Sequence, residues 1–190
     1  MTTFLLNHEI DKGAIIAQRR EPIRPEDNVG TLYDRLMNIG TELVLETVER
    51  IAAGDYTPVI QENIDESTLR PAPKIFKEDC LIDWSADGRS IVNLVRGLSP
   101  YPAAWTRMYR DGAECGTAKI FEARFEPAGG TAEGANAKCG TVVSDGRTYL
   151  KVRCGDGWVS IESVQIAGKK RLGVRELLAG LRDPESCAFA

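Results

Sequence analysis

The chain has 190 residues, of which 43% are hydrophobic and 27% charged, with a formal net charge of −4. That length allows one large domain, or a domain with an appendage, and the composition excludes a disordered or fibrous protein. No run approaches the roughly 18 apolar residues needed to span a bilayer, and the first residues lack the basic leader and long apolar core of a signal peptide. We therefore expect a cytoplasmic protein with no membrane partner.

Two short strands and a long helix are predicted in the first third of the chain. Apolar residues in 1–10 and 14–18 flank Asp11-Lys12-Gly13, which indicates two strands joined by a tight turn in which Gly13 takes a positive φ. Thr31 is the predicted N-cap of a helix whose apolar face repeats at helical spacing and which ends at Gly54. That predicted face consists of Leu32, Leu36, Ile39, Leu43 and Ile51.

The middle of the chain begins with proline-rich sequence and continues into a second helix. Residues 57–77 contain three prolines and few apolar residues, which is typical of an extended linker. Asp83-Trp84-Ser85 is predicted to open the helix that Ser99-Pro100 ends. The aromatic residues Trp84, Tyr101, Trp105 and Trp158 are assigned to packing rather than to base stacking.

After Trp105 the pattern changes to short β-branched or aromatic segments. Five strands are predicted at 105–109, 117–125, 140–143, 149–153 and 159–166, with hairpin signals at Asp111-Gly112, Asp145-Gly146 and Asp156-Gly157. Strands at this spacing favour a small closed or nearly closed barrel, covered at one end by a helix from 174 to 181.

Charge is distributed unevenly along the sequence. Residues 1–68 carry a net charge of −7 and residues 138–175 a net charge of +5. The densest cationic cluster is Lys169-Lys170-Arg171 with Arg175, whereas Lys151 and Arg153 are weaker cationic candidates. A polyanion would be attracted to the second region, although a solvated basic turn explains the same pattern.

Cysteine and histidine provide no sign of a metal centre. The five cysteines are widely spaced, their number is odd, and His8 is the only histidine. This pattern predicts separate thiols in a reducing compartment and no metal site.

Several segments, in a fixed order, carry a family resemblance. They run from Ala72-Pro-Lys-Ile-Phe76 through Ile82-Asp-Trp-Ser85 to Leu98-Ser-Pro-Tyr-Pro-Ala-Ala-Trp105, and continue to Gln165-Ile-Ala-Gly-Lys-Lys-Arg-Leu172. With the earlier Asp11-x-Gly13 they cover nearly the whole chain. The sequence resembles the C-terminal part of methionyl-tRNA formyltransferases.

The resemblance implies an α+β fold with three regions. Residues 1–56 would be a remnant of the α/β catalytic domain (two strands plus a helix), residues 57–77 a linker, and residues 78–190 an OB-like barrel with flanking helices that binds tRNA. Most of the folate-binding domain would be missing, so we expect a fragment that is inactive alone.

The family transfers a formyl group from 10-formyltetrahydrofolate to the amino group of initiator methionyl-tRNA. By resemblance Asp11 is the catalytic carboxylate, and Glu9, Ile10 and Asp11 contact the folate. No folate is expected to bind this chain alone. The family's asparagine and histidine belong to an earlier segment that this sequence lacks, and a new His8–Asp11 dyad is not expected. Without the family, Asp11 is simply a turn aspartate.

The resemblance also implies that Lys169, Lys170, Arg171 and Arg175 contact tRNA phosphates, with no role for DNA. Two alternatives remain open: a tRNA-binding module without catalysis, and the C-terminal part of a nucleotide-sugar formyltransferase. The N-terminal strands have no visible sheet to join, so self-association through their edges is a further expectation.

Overall fold

The computed structural model describes residues 1–61, 67, 69–128 and 137–190. These residues form two compact units, Met1–Lys74 and Ile75–Ala190. No helix in the part of the chain that the structure describes is both long and apolar enough to cross a membrane. Residues 62–66 and 68 of the predicted linker lie outside the described residues, and the three-region division of the chain stays a prediction.

The first unit contains a two-stranded antiparallel sheet and one long helix. Strand β1 spans Thr2–Phe4, strand β2 spans Ile15–Gln18 and helix α1 spans Val29–Ala53. The two strands are therefore present, but the predicted tight turn is wrong, because ten residues connect them. On its other side Ile15 exchanges two backbone hydrogen bonds with Val59, so part of the predicted linker extends this sheet.

Helix α1 is fixed by local hydrogen bonds at both ends. The Asn28 side chain accepts from the Thr31 backbone N–H, and the Thr31 hydroxyl accepts from the Asn28 N–H, which is a capping box. Thr31 as N-cap was therefore wrong, because Asn28 occupies that position three residues earlier. The predicted end is confirmed, since Gly54 adopts a left-handed conformation with φ 69°.

The apolar face of α1 differs from the predicted one at its C-terminal end. Leu43 is buried, but Ile51 is 43% exposed and Thr47 takes a buried position instead. The Thr47 hydroxyl is satisfied there by the Leu43 carbonyl and by the Thr3 hydroxyl on β1. Thr47 lies one helical turn from both Leu43 and Ile51, so periodicity places it on this face, and it was left out of the predicted set only because its side chain is polar.

The second unit is an antiparallel sheet that curves into a nearly closed barrel. The strands are β3 Ala104–Arg110, β4 Ala113–Pro127, β5 Val142–Ser144, β6 Leu150–Arg153, β7 Gly157–Ile166, β8 Leu172–Gly173 and β9 Cys187–Phe189. The path through the sheet runs β5-β6-β7-β4-β3-β9, with β8 paired to β7. An antiparallel bridge between Thr141, just before β5, and Ala188 in β9 joins the two ends of the path.

The five predicted strands are present, and the sequence missed β8 and β9. Asp111-Gly112 forms the predicted hairpin, with positive φ at both residues. Asp145 instead begins a five-residue turn, in which its carboxylate accepts backbone N–H groups from residues 147 to 149. Asp156-Gly157 is not a two-residue loop either, because Gly157 already belongs to β7.

Two helices accompany the barrel. Helix α2 spans Gly88–Leu98 and helix α3 spans Val174–Gly180, with short 3-10 turns at Glu78–Cys80 and Pro184–Ser186. Asp83 was predicted to open α2, but it only accepts hydrogen bonds from the backbone and hydroxyl of Ser85. The N-cap is Asp87, which accepts from the Ser90 N–H, and the Gly88 N–H donates to the distant Asp156 carboxylate at 2.8 Å.

One apolar core lies between α2 and the inner face of the barrel. It includes Ile91 and Val95 of α2 packed with strand residues such as Ile120 and Val159, all at most 2% exposed. Trp84 is 4% exposed in this core and its indole N–H donates to the Thr106 hydroxyl, which confirms its assignment to packing. The second unit therefore has an apolar core of its own.

Candidate functional sites

The loop that carries Asp11 is held by its own polar groups. The Asn7 side-chain oxygen accepts from the Glu9 N–H at 2.9 Å, and Lys12 lies 3.4 Å from the Glu9 carboxylate. Asp11 itself has φ 58°, in the left-handed region where aspartate is tolerated better than most residues. Its side chain is exposed and has no hydrogen bond or ion pair to any described residue, His8 included.

Gly13 is required because of a close backbone approach, not because of a positive φ as the sequence predicted. A Cβ atom built on Gly13 would lie 1.6 Å from the carbonyl oxygen of Leu5. The Gln61 amide group also donates to the carbonyls of Asp11 and Gly13, at 3.0 and 2.7 Å. The loop is therefore locked at its base, and the exposed side chains of Ile10 and Asp11 project from a defined backbone.

A partly buried ion pair fixes the chain between β2 and α1. Arg35 donates to both carboxylate oxygens of Asp27 at 2.6 Å and to Glu21 at 2.7 Å. Hydrogen bonds from Arg35, from the Arg24 backbone N–H and from the Thr31 hydroxyl hold the pKa of Asp27 far below its usual range. This network was not predicted from the sequence, since a pair separated by a loop has no periodic signal. Its role is to position the start of α1.

The basic turn, which we define as residues 167–175, presents cations at the end of β7. Gly168 has φ 76°, and the Lys169 N–H donates to the Ile166 carbonyl, so the chain reverses here. Lys169, Lys170 and Arg175 are exposed and make no ion pair with any residue that the structure describes. These three charges are available to an outside anion.

Arg171 behaves differently from its neighbours. Its guanidinium donates to the Ser163 hydroxyl at 2.7 Å and to the Glu122 carboxylate at 2.5 Å, and lies 4.4 Å from the centre of the Phe121 ring. These contacts attach the basic turn to the sheet. The four predicted cations are therefore not equivalent. Lys169, Lys170 and Arg175 are exposed, whereas Arg171 is held by contacts within the unit.

The weaker candidates Lys151 and Arg153 are also committed to internal contacts. Lys151 pairs with Glu126 at 2.5 Å, and the Arg153 guanidinium donates to the Gly157 carbonyl at 2.6 Å while facing the Trp158 ring. Neither side chain offers a free charge comparable with those of Lys169 and Lys170.

Tyr101 contradicts its predicted packing role. It is 82% exposed, between two prolines whose preceding peptide bonds are cis. With Trp105 and Phe76 it lines a surface cavity of about 440 Å³. An aromatic residue held out in solvent was not foreseen, because proline flanks indicate a turn but do not show on which side the ring lies.

Comparison with protein families identifies the family to which this chain belongs. A family model described as "Formyl transferase, C-terminal domain" matches residues 74–182. The chain belongs to this formyl transferase family. The matched residues include both the basic turn and the cavity beside Tyr101.

Curated relatives agree with the family. A methionyl-tRNA formyltransferase of Bacteroides thetaiotaomicron is 47% identical over 183 residues, 96% of this chain and 55% of the relative. One from Flavobacterium johnsoniae is 40% identical over 181 residues, 95% of this chain and 55% of the relative. The chain thus spans little more than half the length of these relatives.

Solved structures show a similar fold at lower identity. A HypX variant from Aquifex aeolicus has a TM-score of 0.64 and 23% identity, covering 94% of this chain and 30% of HypX. HypX has also been solved in complex with tetrahydrofolic acid, with a TM-score of 0.61, 22% identity and coverage of 93% of this chain and 29% of that one. An N-formyltransferase from Helicobacter canadensis has a TM-score of 0.53 and 18% identity, covering 90% of this chain and 55% of that one. At these identities the likeness supports the formyltransferase fold alone.

Proposed function

We propose that this chain provides the tRNA-holding barrel and one catalytic carboxylate of a methionyl-tRNA formyltransferase that acts in translation initiation in the cytoplasm. The observation that carries the tRNA part is the basic turn, where Lys169, Lys170 and Arg175 are exposed and unpaired among the described residues. Cations of this kind contact phosphates and position an RNA without reading its sequence. Arg171 supports them by attaching the turn to the sheet, and the barrel is proposed to be OB-like.

The Asp11 loop fits one side of a site for a folate-type formyl donor. Its exposed apolar Ile10, 90% accessible, and the uncommitted carboxylate of Asp11 lie on a backbone locked by Gly13 and Gln61. We assign Glu9, Ile10 and Asp11 to contact with 10-formyltetrahydrofolate, which supplies the one-carbon group when bound. Asp11 then accepts the proton that the methionyl amine loses as its bond to the formyl carbon forms, and that proton passes to the folate nitrogen as the bond between this nitrogen and the formyl carbon breaks.

Catalysis needs more than this loop. Formyl transfer develops negative charge on an oxygen, and one missing oxyanion donor costs on the order of 10²–10³ in rate. Asp11 is an acceptor and cannot supply that donation while ionised. We therefore expect a polypeptide of these 190 residues to show background formylation in an assay of radioactive formyl incorporation into charged initiator tRNA, and turnover with the rate of a formyltransferase would contradict this.

The tRNA assignment is tested by the double substitution Lys169→Gln with Lys170→Gln. Loss of about two phosphate contacts should weaken binding of initiator tRNA and make the slope of log K against log salt shallower by roughly 1–2 units, since each contact contributes about 0.9. Fluorescence anisotropy at several salt concentrations measures both quantities.

The matched control replaces Lys138 and Arg147 with Gln. Both are exposed cations of the second unit outside the basic turn. The control removes the same charge, so equal losses in the two double variants would mean that only net charge matters. That result would remove the basic turn from the interface.

A tRNA-binding module without catalysis remains the second candidate, favoured by the complete core of Ile75–Ala190.

Self-association through β1 and β2 is also a proposal. Because Val59 already pairs with Ile15, the outer edge of β1 is the expected contact, and sedimentation velocity at increasing concentration measures it.

A further inference from the structure

A second RNA-contact feature is suggested by the aromatic pocket, which we define as the cavity lined by Phe76, Tyr101, Trp105, Lys77 and Lys119. Its volume of about 440 Å³ falls within the range of roughly 300–1,000 Å³ that is usual for small-molecule sites. Phe76 is 56% exposed and Tyr101 82% exposed, although both belong to a unit with a complete core. The Tyr101 ring is not part of that core, so core packing does not account for its position.

The pocket is built on groups that are themselves held in place. The Trp105 indole N–H donates to the Lys77 carbonyl at 2.8 Å, and Trp105 also begins the barrel as part of β3. Next to it, the Lys119 ammonium donates to the Pro102 carbonyl at 3.1 Å. The side chains of Trp105 and Lys119 are therefore held in position by hydrogen bonds within the protein, without a ligand.

Positive charge is available at the same place. The Lys77 ammonium lies 5.2 Å from the centre of the Trp105 ring, and neither Lys77 nor Lys119 makes an ion pair with a described residue. The neighbouring carboxylate of Asp79 is already engaged, because it accepts the Phe76 backbone N–H at 2.7 Å. The pocket thus combines aromatic faces with two ammonium groups that have no carboxylate partner among the described residues.

We propose that this pocket holds an unpaired nucleotide of the bound RNA, with its base on the ring of Tyr101 and its phosphate near Lys77 and Lys119. Aromatic faces beside cations are the general means by which proteins hold single-stranded nucleic acid. A base inside a duplex is already stacked and cannot enter. This inference rests on the proposed tRNA function and adds to the basic turn a contact with single-stranded RNA.

The test uses the full chain and two fluorescein-labelled probes, hexa-adenylate and a blunt 12-base-pair RNA duplex. Anisotropy should show that Tyr101→Leu weakens hexa-adenylate binding about 5-fold or more, as expected for loss of base stacking, whereas Tyr101→Phe keeps the ring and the affinity. Lys119→Gln should weaken binding and make the salt slope shallower by about 0.7, the value for a contact to a single strand. Affinity for the duplex should not change in the Tyr101 variants.

The matched controls are Tyr149→Leu and Lys138→Gln. Tyr149 is an exposed tyrosine with a lysine 5.1 Å from its ring centre, outside the pocket. If Tyr149→Leu weakens binding as much as Tyr101→Leu, or if hexa-adenylate does not bind the parent chain, the proposal is overturned. Because Tyr101 is so exposed, its variants should retain the parent's thermal unfolding curve.

A site-resolved measurement covers any variant that fails to fold. The chain has three tryptophans, so the ¹⁵N-labelled parent shows three indole signals. Hexa-adenylate should shift the Trp105 indole signal, assigned with Trp105→Phe, and leave the signal of buried Trp84 in place. An unmoved Trp105 signal at saturating hexa-adenylate rejects the pocket.

Binding of initiator tRNA in the same variants separates the two proposals. If tRNA binding depends on Lys169 and Lys170 but not on Tyr101, the proposed function stands and the pocket is rejected. If hexa-adenylate binding depends on Tyr101 while tRNA does not bind at all, the pocket stands and the tRNA function is rejected.

Discussion

The two units of this chain bury apolar surface to very different extents. Among the described residues, the buried hydrophobic side chains of Met1–Lys74 are Ile16 and Leu43, whereas Ile75–Ala190 has a contiguous core of twenty buried residues. Polar contacts partly compensate in the first unit, through the Asp27–Arg35 pair and the Thr3–Thr47 bond. One sequence therefore contains a unit stabilised by packing and a unit defined largely by hydrogen bonds.

The largest expected effect is in the core of the second unit. Ile161 in β7 is 1% exposed and belongs to the apolar core, so Ile161→Ala should lower the free energy of unfolding by about 2–5 kcal/mol. Trp84, Trp105 and Trp158 all lie in this unit, so tryptophan fluorescence in urea reports on it directly. The control Val44→Ala, at a 53% exposed position of α1, should change that transition by less than about 0.5 kcal/mol. A similar loss in both variants would contradict the assignment of this loss to the core of the second unit.

The next effect is in the Asp11 loop. Gly13→Ala should destabilise the first unit by about 1–3 kcal/mol, because the new methyl group collides with the Leu5 carbonyl. Hydrogen exchange of the β2 and α1 amides measures the loss. Gly97→Ala is the opposite case, since nothing lies within 4 Å of its added Cβ and alanine favours α2 by up to about 1 kcal/mol. Unchanged exchange in Gly13→Ala would show that the loop moves freely to make room.

A smaller effect is expected at the basic turn. Arg171→Ala removes an exposed ion pair, a hydroxyl contact and the stacking on Phe121, which together stabilise by about 1 kcal/mol. Lys170→Ala should leave the tryptophan transition unchanged and reduce tRNA affinity instead. If Lys170→Ala destabilised as much as Arg171→Ala, the division between anchoring and contacting cations would be wrong.

The last effect appears only in acid. The pKa of Asp27 is lowered on folding, mainly by Arg35, so the unfolded chain binds a proton more readily than the folded chain as pH falls below about 4. The stabilisation is complete above that pH and is lost as pH falls toward the folded-state pKa. Amide exchange of α1 between pH 5 and pH 2.5 should speed up in the parent beyond the intrinsic trend, and less in Asp27→Asn. Equal trends would assign the acid sensitivity of α1 to another carboxylate.

The sequence predicts regular elements well where local signals decide them. Gly54 ends α1 and Asp111-Gly112 turns the β3–β4 hairpin because both depend on nearby backbone conformation. Long-range contacts account for most of the errors. Strand β9 has three residues and exists because it pairs with β3, as where Phe189 lies opposite Met108. Periodicity in the sequence cannot show a pairing between residues so far apart in the chain.

The same distinction applies to the candidate sites. A cluster of four cations is visible in the sequence, but its division into free lysines and an anchored Arg171 depends on Glu122, about fifty residues away. The aromatic pocket was not predicted, because Tyr101, Trp105 and Lys119 meet only after the hairpin has formed. The roles of Asp11 and its neighbours come from the resemblance and stay predictions.

The hydrogen bond from the Gly88 amide to the Asp156 carboxylate has a consequence for the order of folding. An N-terminal amide of α2 is satisfied by a residue 68 positions later in the chain, in the link between β6 and β7. A short helix is marginal by itself, so its first turn should become protected only after those strands have docked. In pulse-labelling experiments we expect α2 to gain protection together with β7 rather than before it.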